Sequence, residues 1–117
     1  MVAHVDEVII AGLKDVMGNE YPVLLEAYLQ DSRERLRLAE YALAENNMSA
    51  LCLAIHSFKG SCGNVGAYEL ARLCQALELA VEQHNRPLRD QLFAQIKIEL
   101  AAVRIFFQLE IQASQAD

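Results

Sequence analysis

The sequence predicts an all-α protein, an up-down antiparallel four-helix bundle with a short additional N-terminal helix capping one end. Three observations carry that expectation. Four long segments repeat apolar residues at alternating spacings of three and four, the period of helices buried along one stripe. The breaks between them are a few residues long and rich in Gly, Asn and Pro, which makes neighbouring helices antiparallel. No stretch alternates with the period of two that a half-buried strand requires. At 117 residues the chain is long enough for one core and not for two, so residues 1–117 form a single domain.

Val5–Met17 reads as the short first helix, with Asp6 and Glu7 in its first turn and Val5, Ile9, Gly12 and Val16 marking one face. Gly18–Asn19 stops it, and Asn19 is the expected cap of a long helix over Glu20–Glu45, with Pro22 in its first turn. There Leu25, Leu29, Ser32, Leu36, Ala39 and Leu43 form a seam. Asn46–Asn47 breaks the chain again, and Asn47 can cap a central helix, Met48–Val65, which ends near Asn64–Gly66. Ala67–Gln83 follows, with Leu70, Cys74, Leu77 and Val81 inward. His84–Pro87 connects it to Leu88–Ser114, with Asn85 as cap. The last helix buries Phe93, Ile96, Leu100, Val103 and Phe107, and Ser114–Asp117 should fray.

Composition excludes several classes of function. A net charge of −6 argues against nucleic acid as the main partner, since neutralising phosphates needs a concentrated basic surface. Arg33, Arg35 and Arg37 are interleaved with Asp31, Glu34 and Glu40 and read as a solvated helix face. No uncharged apolar run is long enough to span a membrane, and no signal peptide opens the chain, so the expectation is a cytoplasmic protein. Acidic flanks suggest a monomer. Cys62 and Cys74 lie on apolar stripes as small core residues. Cys52 and His56 stand at i,i+4, which could supply two zinc ligands, but no cluster nearby offers two more.

Chemistry concentrates on the central helix. Leu51, Ile55, Phe58, Cys62 and Val65 take its buried stripe, while Ser49, Cys52, Lys59, Gly60 and Gly63 gather within about 60° of His56 on the opposite side. Each of two glycines inside a helix costs roughly 0.5–1 kcal/mol relative to alanine, a cost accepted where something must approach the backbone closely. Near neutral pH an ordinary imidazole is mostly unprotonated, and its free lone pair can attack phosphorus or accept a proton. An ammonium one turn away, Lys59, can neutralise an arriving phosphoryl group. No Gly-rich nucleotide loop, Walker lysine or Mg²⁺-binding carboxylate cluster accompanies them, so the histidine would exchange its phosphoryl group with another protein. A helix histidine is more often a surface or core-edge residue than a nucleophile, and spacing alone leaves both readings open.

His56-Ser57-Phe58-Lys59-Gly60-Ser61, followed by Gly66-Ala67 and then Leu70, Cys74, Leu77 and Glu78, resembles the signature of histidine-containing phosphotransfer (HPt) domains. The match is close over Leu53 to Glu78, and the helix layout fits nearly the whole chain. The resemblance implies a stand-alone bundle presenting one phosphorylated histidine, His56, with Lys59 beside the phosphoryl group and Gly60 permitting access. Glu78 falls where the family often places a glutamine or glutamate that can hydrogen-bond the histidine; a solvated flank residue is the alternative. Leu53, Ser57, Gly63 and Asn64 border the stripe as candidate partner contacts, with Ile10 and Leu13 as weaker ones. The implied partners are the receiver domains of a hybrid sensor histidine kinase and of a response regulator. No cofactor is implied in the chain itself; Mg²⁺ is expected in the partner receiver. Two rivals remain: a non-catalytic helical interaction module, and the detached histidine-bearing domain of a chemotaxis-type kinase.

Overall fold

The computed structural model describes residues 4–115, which are helical nearly throughout and contain no strand. The helices are α1 (Glu7–Met17), α2 (Tyr21–Ala44), α3 (Met48–Asn64), α4 (Tyr68–Glu82) and α5 (Arg86–Gln115), with a single 3-10 turn at Gly18–Glu20. Three of these helices, α1, α3 and α5, start at a side-chain cap. Asp6 caps α1 by accepting from the Val8 and Ile9 N–H groups, Asn47 accepts from Ala50 N–H, and Asn85 accepts from Leu88 N–H. These bonds satisfy donors that a helix start otherwise orphans. Asn19 does not cap α2: it lies inside the 3-10 turn, Glu20 occupies the cap position, and no side chain bonds there. The last helix begins at Arg86, with Pro87 in its first turn, and stays helical through Ser114 to Gln115; Ala116 and Asp117 of the expected fraying tail lie outside the described residues.

α2, α3, α4 and α5 pack in sequence, α2 closes the ring against α5, and the α3 and α5 backbones face each other diagonally across the core, nowhere within 8 Å. Side chains that meet across neighbours rise in number on one helix as they fall on the next. Tyr28 reaches Cys62 and Asp31 reaches Ser61, while His56 and Lys59 face Glu78 and Gln75. The core they enclose holds the predicted inward residues of α3 and α5, with Leu25, Leu29 and Ala39 of α2 and Leu70, Cys74 and Leu77 of α4. Leu36, Leu43 and Val81 are only partly buried against it. Ser32, fully buried in the α2 seam, donates to the Leu29 carbonyl at 2.7 Å and so enters the core without a polar penalty. Tyr28 is the aromatic hub: it stacks on Phe58 and meets Phe107 edge-on, with centroids 5.5 Å apart in the second pair.

The face expected for α1 needs correcting. Val5 is buried as expected, though it precedes the helix, but Val16 is 84% exposed, and Ile9 and Gly12 are exposed too; within α1 the buried residue is Ile10, with Leu13 and Met17 packed against the core. The helix is short, and its apolar residues occupy nearly every direction, so periodicity could not choose between faces. Its position is set by contacts outside its stripe. Asp6 N–H donates to the Gly66 carbonyl at 2.8 Å in the α3–α4 turn, and Lys14 pairs with Glu110 of α5 at 2.9 Å. Gly66 has φ +76, and a Cβ there would stand 3.0 Å from the Ile9 side chain, so this turn requires glycine. His4 is not a free terminal group: its Nδ1 lies 2.6 Å from a carboxylate oxygen of Glu99, which is buried in α5.

The interior has a consequence at high pH. Burial pushes the Cys62 thiol from 9.0 up to about 12, and burial also raises Cys74 and the Tyr28 hydroxyl. The native state therefore keeps protons that the unfolded chain releases. The stability these groups contribute is fully present below pH 9.0 and is lost as pH climbs towards 12. Urea midpoints measured at stepped pH should fall progressively above that lower bound; a midpoint still level near its top would show that the buried thiols ionise freely.

Candidate functional site

His56 stands on the outer face of α3, with its side chain 68% exposed. The residues before and after it explain why. Ile55 and Phe58 are buried to within 1% of fully, so the helix is pinned by the side that holds them and must turn His56 outward. Nδ1 lies 3.4 Å from Glu78 Oε2 on α4, a long contact in which the ring's role depends on its tautomer. Lys59 Nζ donates to Gln75 Oε1 at 2.7 Å and lies 3.4 Å from Glu78 Oε1. Glu78, itself mostly buried, thus has one oxygen towards the imidazole and the other towards the ammonium. Its Oε1 makes no hydrogen bond, so the link to Lys59 is an ion pair only.

Around this pair the surface is open. A Cβ placed on Gly60 or Gly63 would meet nothing within 4 Å. Alanine would therefore fit at both positions and favour the helix, so neither glycine is explained by packing within the chain. Leu53, Gly63 and Asn64 are exposed and Ser57 is half-buried, all bordering the stripe as the sequence placed them. Leu53 and Ser57 also line an apolar groove between α2 and α3, together with Leu38 and Tyr41. Ile10 does not belong to any contact surface, because it is buried under α1, and Leu13 is largely covered.

Gln75 is the member that sequence reasoning missed. It lies three residues before Glu78, on the same face of α4, so helical spacing could have found it once Glu78 was singled out. Cys52, one turn before His56, is half-buried; burial, then the Glu78 and Glu82 carboxylates, raises its thiol above the ordinary value. It stays protonated near neutral pH and offers no thiolate nucleophile there. Among the described residues no three His, Cys, Asp or Glu side chains converge to hold a metal ion, and no helix is long and apolar enough to cross a membrane.

An outward imidazole on a buried helix, steered from the next helix and flanked by a cation and bare backbone, can accept a group delivered by another macromolecule. Comparison with known proteins bears on what that group is. No curated protein matches the sequence at a significant level. The crystal structure of histidine-containing phosphotransfer protein B (HptB) from Pseudomonas aeruginosa PAO1 superimposes with a TM-score of 0.91 at 40% identity, covering 97% of this chain and 98% of that one. A rice protein assigned to histidine-containing phosphotransfer shares the fold, with a TM-score of 0.84 at 20% identity over 97% of this chain and 83% of its own. The family model for the Hpt domain matches residues 23–105. With that span and that identity to HptB, the chain belongs to the Hpt domain family, the histidine phosphotransfer proteins of phosphorelays.

Proposed function

We propose that this protein is an intermediate carrier of a multistep His–Asp phosphorelay, bearing its phosphoryl group on His56. The donor is the receiver aspartate of a hybrid sensor kinase, and the acceptor is the receiver aspartate of a response regulator. The observation that carries the reading is the exposed His56 ring with Nδ1 turned to Glu78. A carboxylate at Nδ1 favours the tautomer with its proton there and leaves the Nε2 lone pair towards solvent. Nε2 then attacks phosphorus in line, the bond to the aspartyl oxygen breaks, and the receiver's carboxylate departs. The ring becomes a phosphorylated imidazolium, whose N–H at Nδ1 faces the Glu78 carboxylate.

Lys59, held at the rim by Gln75, stabilises charge on the phosphoryl oxygens. Mg²⁺ belongs to the receiver's acidic site, and the chain has no kinase activity of its own. Gly60 and Gly63 let the receiver surface reach the helix, with Leu53, Ser57 and Asn64 around the contact. An up-down bundle as one domain, with α1 capping one end, is part of this reading; the crossing pairs Tyr28–Cys62 and His56–Glu78 and the α1 anchor at Gly66 support it.

Incubation with separately phosphorylated receivers should give an acid-labile, alkali-stable label on the protein. A docking module without chemistry would bind receivers and take no label. A detached kinase domain would take label only from a separate ATP-binding domain. Gly60→Glu should lower transfer at least about tenfold through lost docking, with thermal stability nearly unchanged because its side chain meets open space. Unaltered transfer in that variant would leave the glycine without a purpose.

A further inference from the structure

α5 has a second, unpartnered face. Along one line between Gln91 and Gln112 the outward positions carry only Gln, Ala, Ile and Leu, with the exposed Lys97 to one side of it, and Ile98, Ile105 and Leu109 are 72%, 60% and 59% exposed. The spacing runs in threes and fours, as along a coiled-coil seam, over about 32 Å of helix. The four charged residues of the same stretch lie off that line. Lys97 sits over the Phe93 ring, Glu99 pairs with His4, Arg104 has its Nε buried, and Glu110 holds Tyr21 and Lys14. On a chain of net charge −6 this is a long strip with nothing to repel a like surface.

The strip also matches its own reversal. Counting outward from the midpoint between Ala101 and Ala102, Ile98 falls opposite Ile105, Ala94 opposite Leu109, and Gln91 opposite Gln112. A two-fold axis through that midpoint would bring small residues together at the crossing, where helices can approach to about 8 Å. It would set isoleucine on isoleucine beyond them and glutamine on glutamine at both rims. That is the self-complementary pattern an isologous contact needs.

We infer that the outer face of α5 is a homodimer interface, two copies pairing antiparallel across an axis at Ala101/Ala102. A seam one helix wide buries less than the roughly 1,600 Å² of a standard interface, so the dimer is a transient one that dissociates on dilution. The monomer expected from acidic flanks is its dilute form. Because α3 lies diagonally across the ring from α5 and His56 is on its outer face, both His56 faces remain open in the dimer.

Sedimentation equilibrium of the full chain should show the mean mass rising from one chain towards two as concentration approaches about 1 mM. Ile98→Glu should raise the dissociation constant at least about tenfold, with helicity and thermal midpoint retained because the side chain is exposed. Adding Ile105→Lys to that variant should restore association, since the antiparallel axis sets position 98 of one copy against position 105 of the other. A chain that stays monomeric at 1 mM overturns the interface. Association indifferent to Ile98→Glu places it on another surface, and failure of the charge pair to rescue overturns the antiparallel geometry.

Discussion

His56→Gln should abolish acceptance of phosphoryl groups from a phosphorylated receiver, leaving no acid-labile label above background while the fold is intact. Glutamine has no nucleophilic lone pair of comparable basicity, and no other side chain is placed to substitute. His84 lies at the far end of α4 beyond its last turn, His4 is engaged with Glu99, and Cys52 keeps its proton. The loss of transfer should exceed about a thousandfold, as when a covalent nucleophile is removed from other sites. The thermal midpoint should stay within the small range typical of exposed substitutions, about ±0.5 kcal/mol, because the ring makes only one long contact. Radiolabel from a phosphoreceiver, resolved on a gel after acid and alkali treatment, measures the first part; calorimetry measures the second. Label surviving in the variant would move the chemistry off α3.

Phe107→Ala should produce the opposite profile: a large loss of stability with transfer preserved in whatever fraction remains folded. Phe107 is fully buried on α5, set edge-on to both Tyr28 and Phe106. Truncating a core phenylalanine removes its burial free energy and leaves a cavity that rigid neighbours fill poorly, together about 3–5 kcal/mol. For a domain of this size that lowers the melting temperature by more than about 10 °C. Urea denaturation followed by circular dichroism would read it directly. Transfer normalised to folded protein should stay near that of the parent chain, because Phe107 is buried in the core while His56 stands on the outer face of α3. A change below about 1 kcal/mol would mean that the core around Tyr28 repacks freely.

The helical seams were legible because period and burial coincide in α3 and α5, where one side of the helix is apolar and the other is not. His56, Lys59 and Gly60 were legible for a related reason: they interrupt an otherwise apolar segment on the side its seam leaves free. α1 was misjudged because Val5, Val8, Ile9, Ile10, Leu13, Val16 and Met17 supply apolar residues on almost every side. Its true face is decided by the Gly66 turn and by Glu110, which are remote in sequence. The His4–Glu99 contact was invisible for the same reason, and Lys59–Gln75 could be reached only through Glu78. Each joins residues whose proximity depends on how two helices are set against one another, and a single periodic pattern contains no such information. Asn19 shows a local rule overridden: its composition suits a cap, but the chain tightens into a 3-10 turn that passes the role to backbone groups.

Glu78 stands on α4 while the imidazole it faces stands on α3, so the reactive ring is aligned from outside its own helix. Sliding one helix past the other by a single residue moves the carboxylate about 1.5 Å along the axis, enough to part it from Nδ1 without breaking a backbone hydrogen bond. A loosened bundle would therefore look intact to far-ultraviolet light and already be slow in relay. Warming the protein should separate those two signals, with the loss of turnover running ahead of the loss of helix.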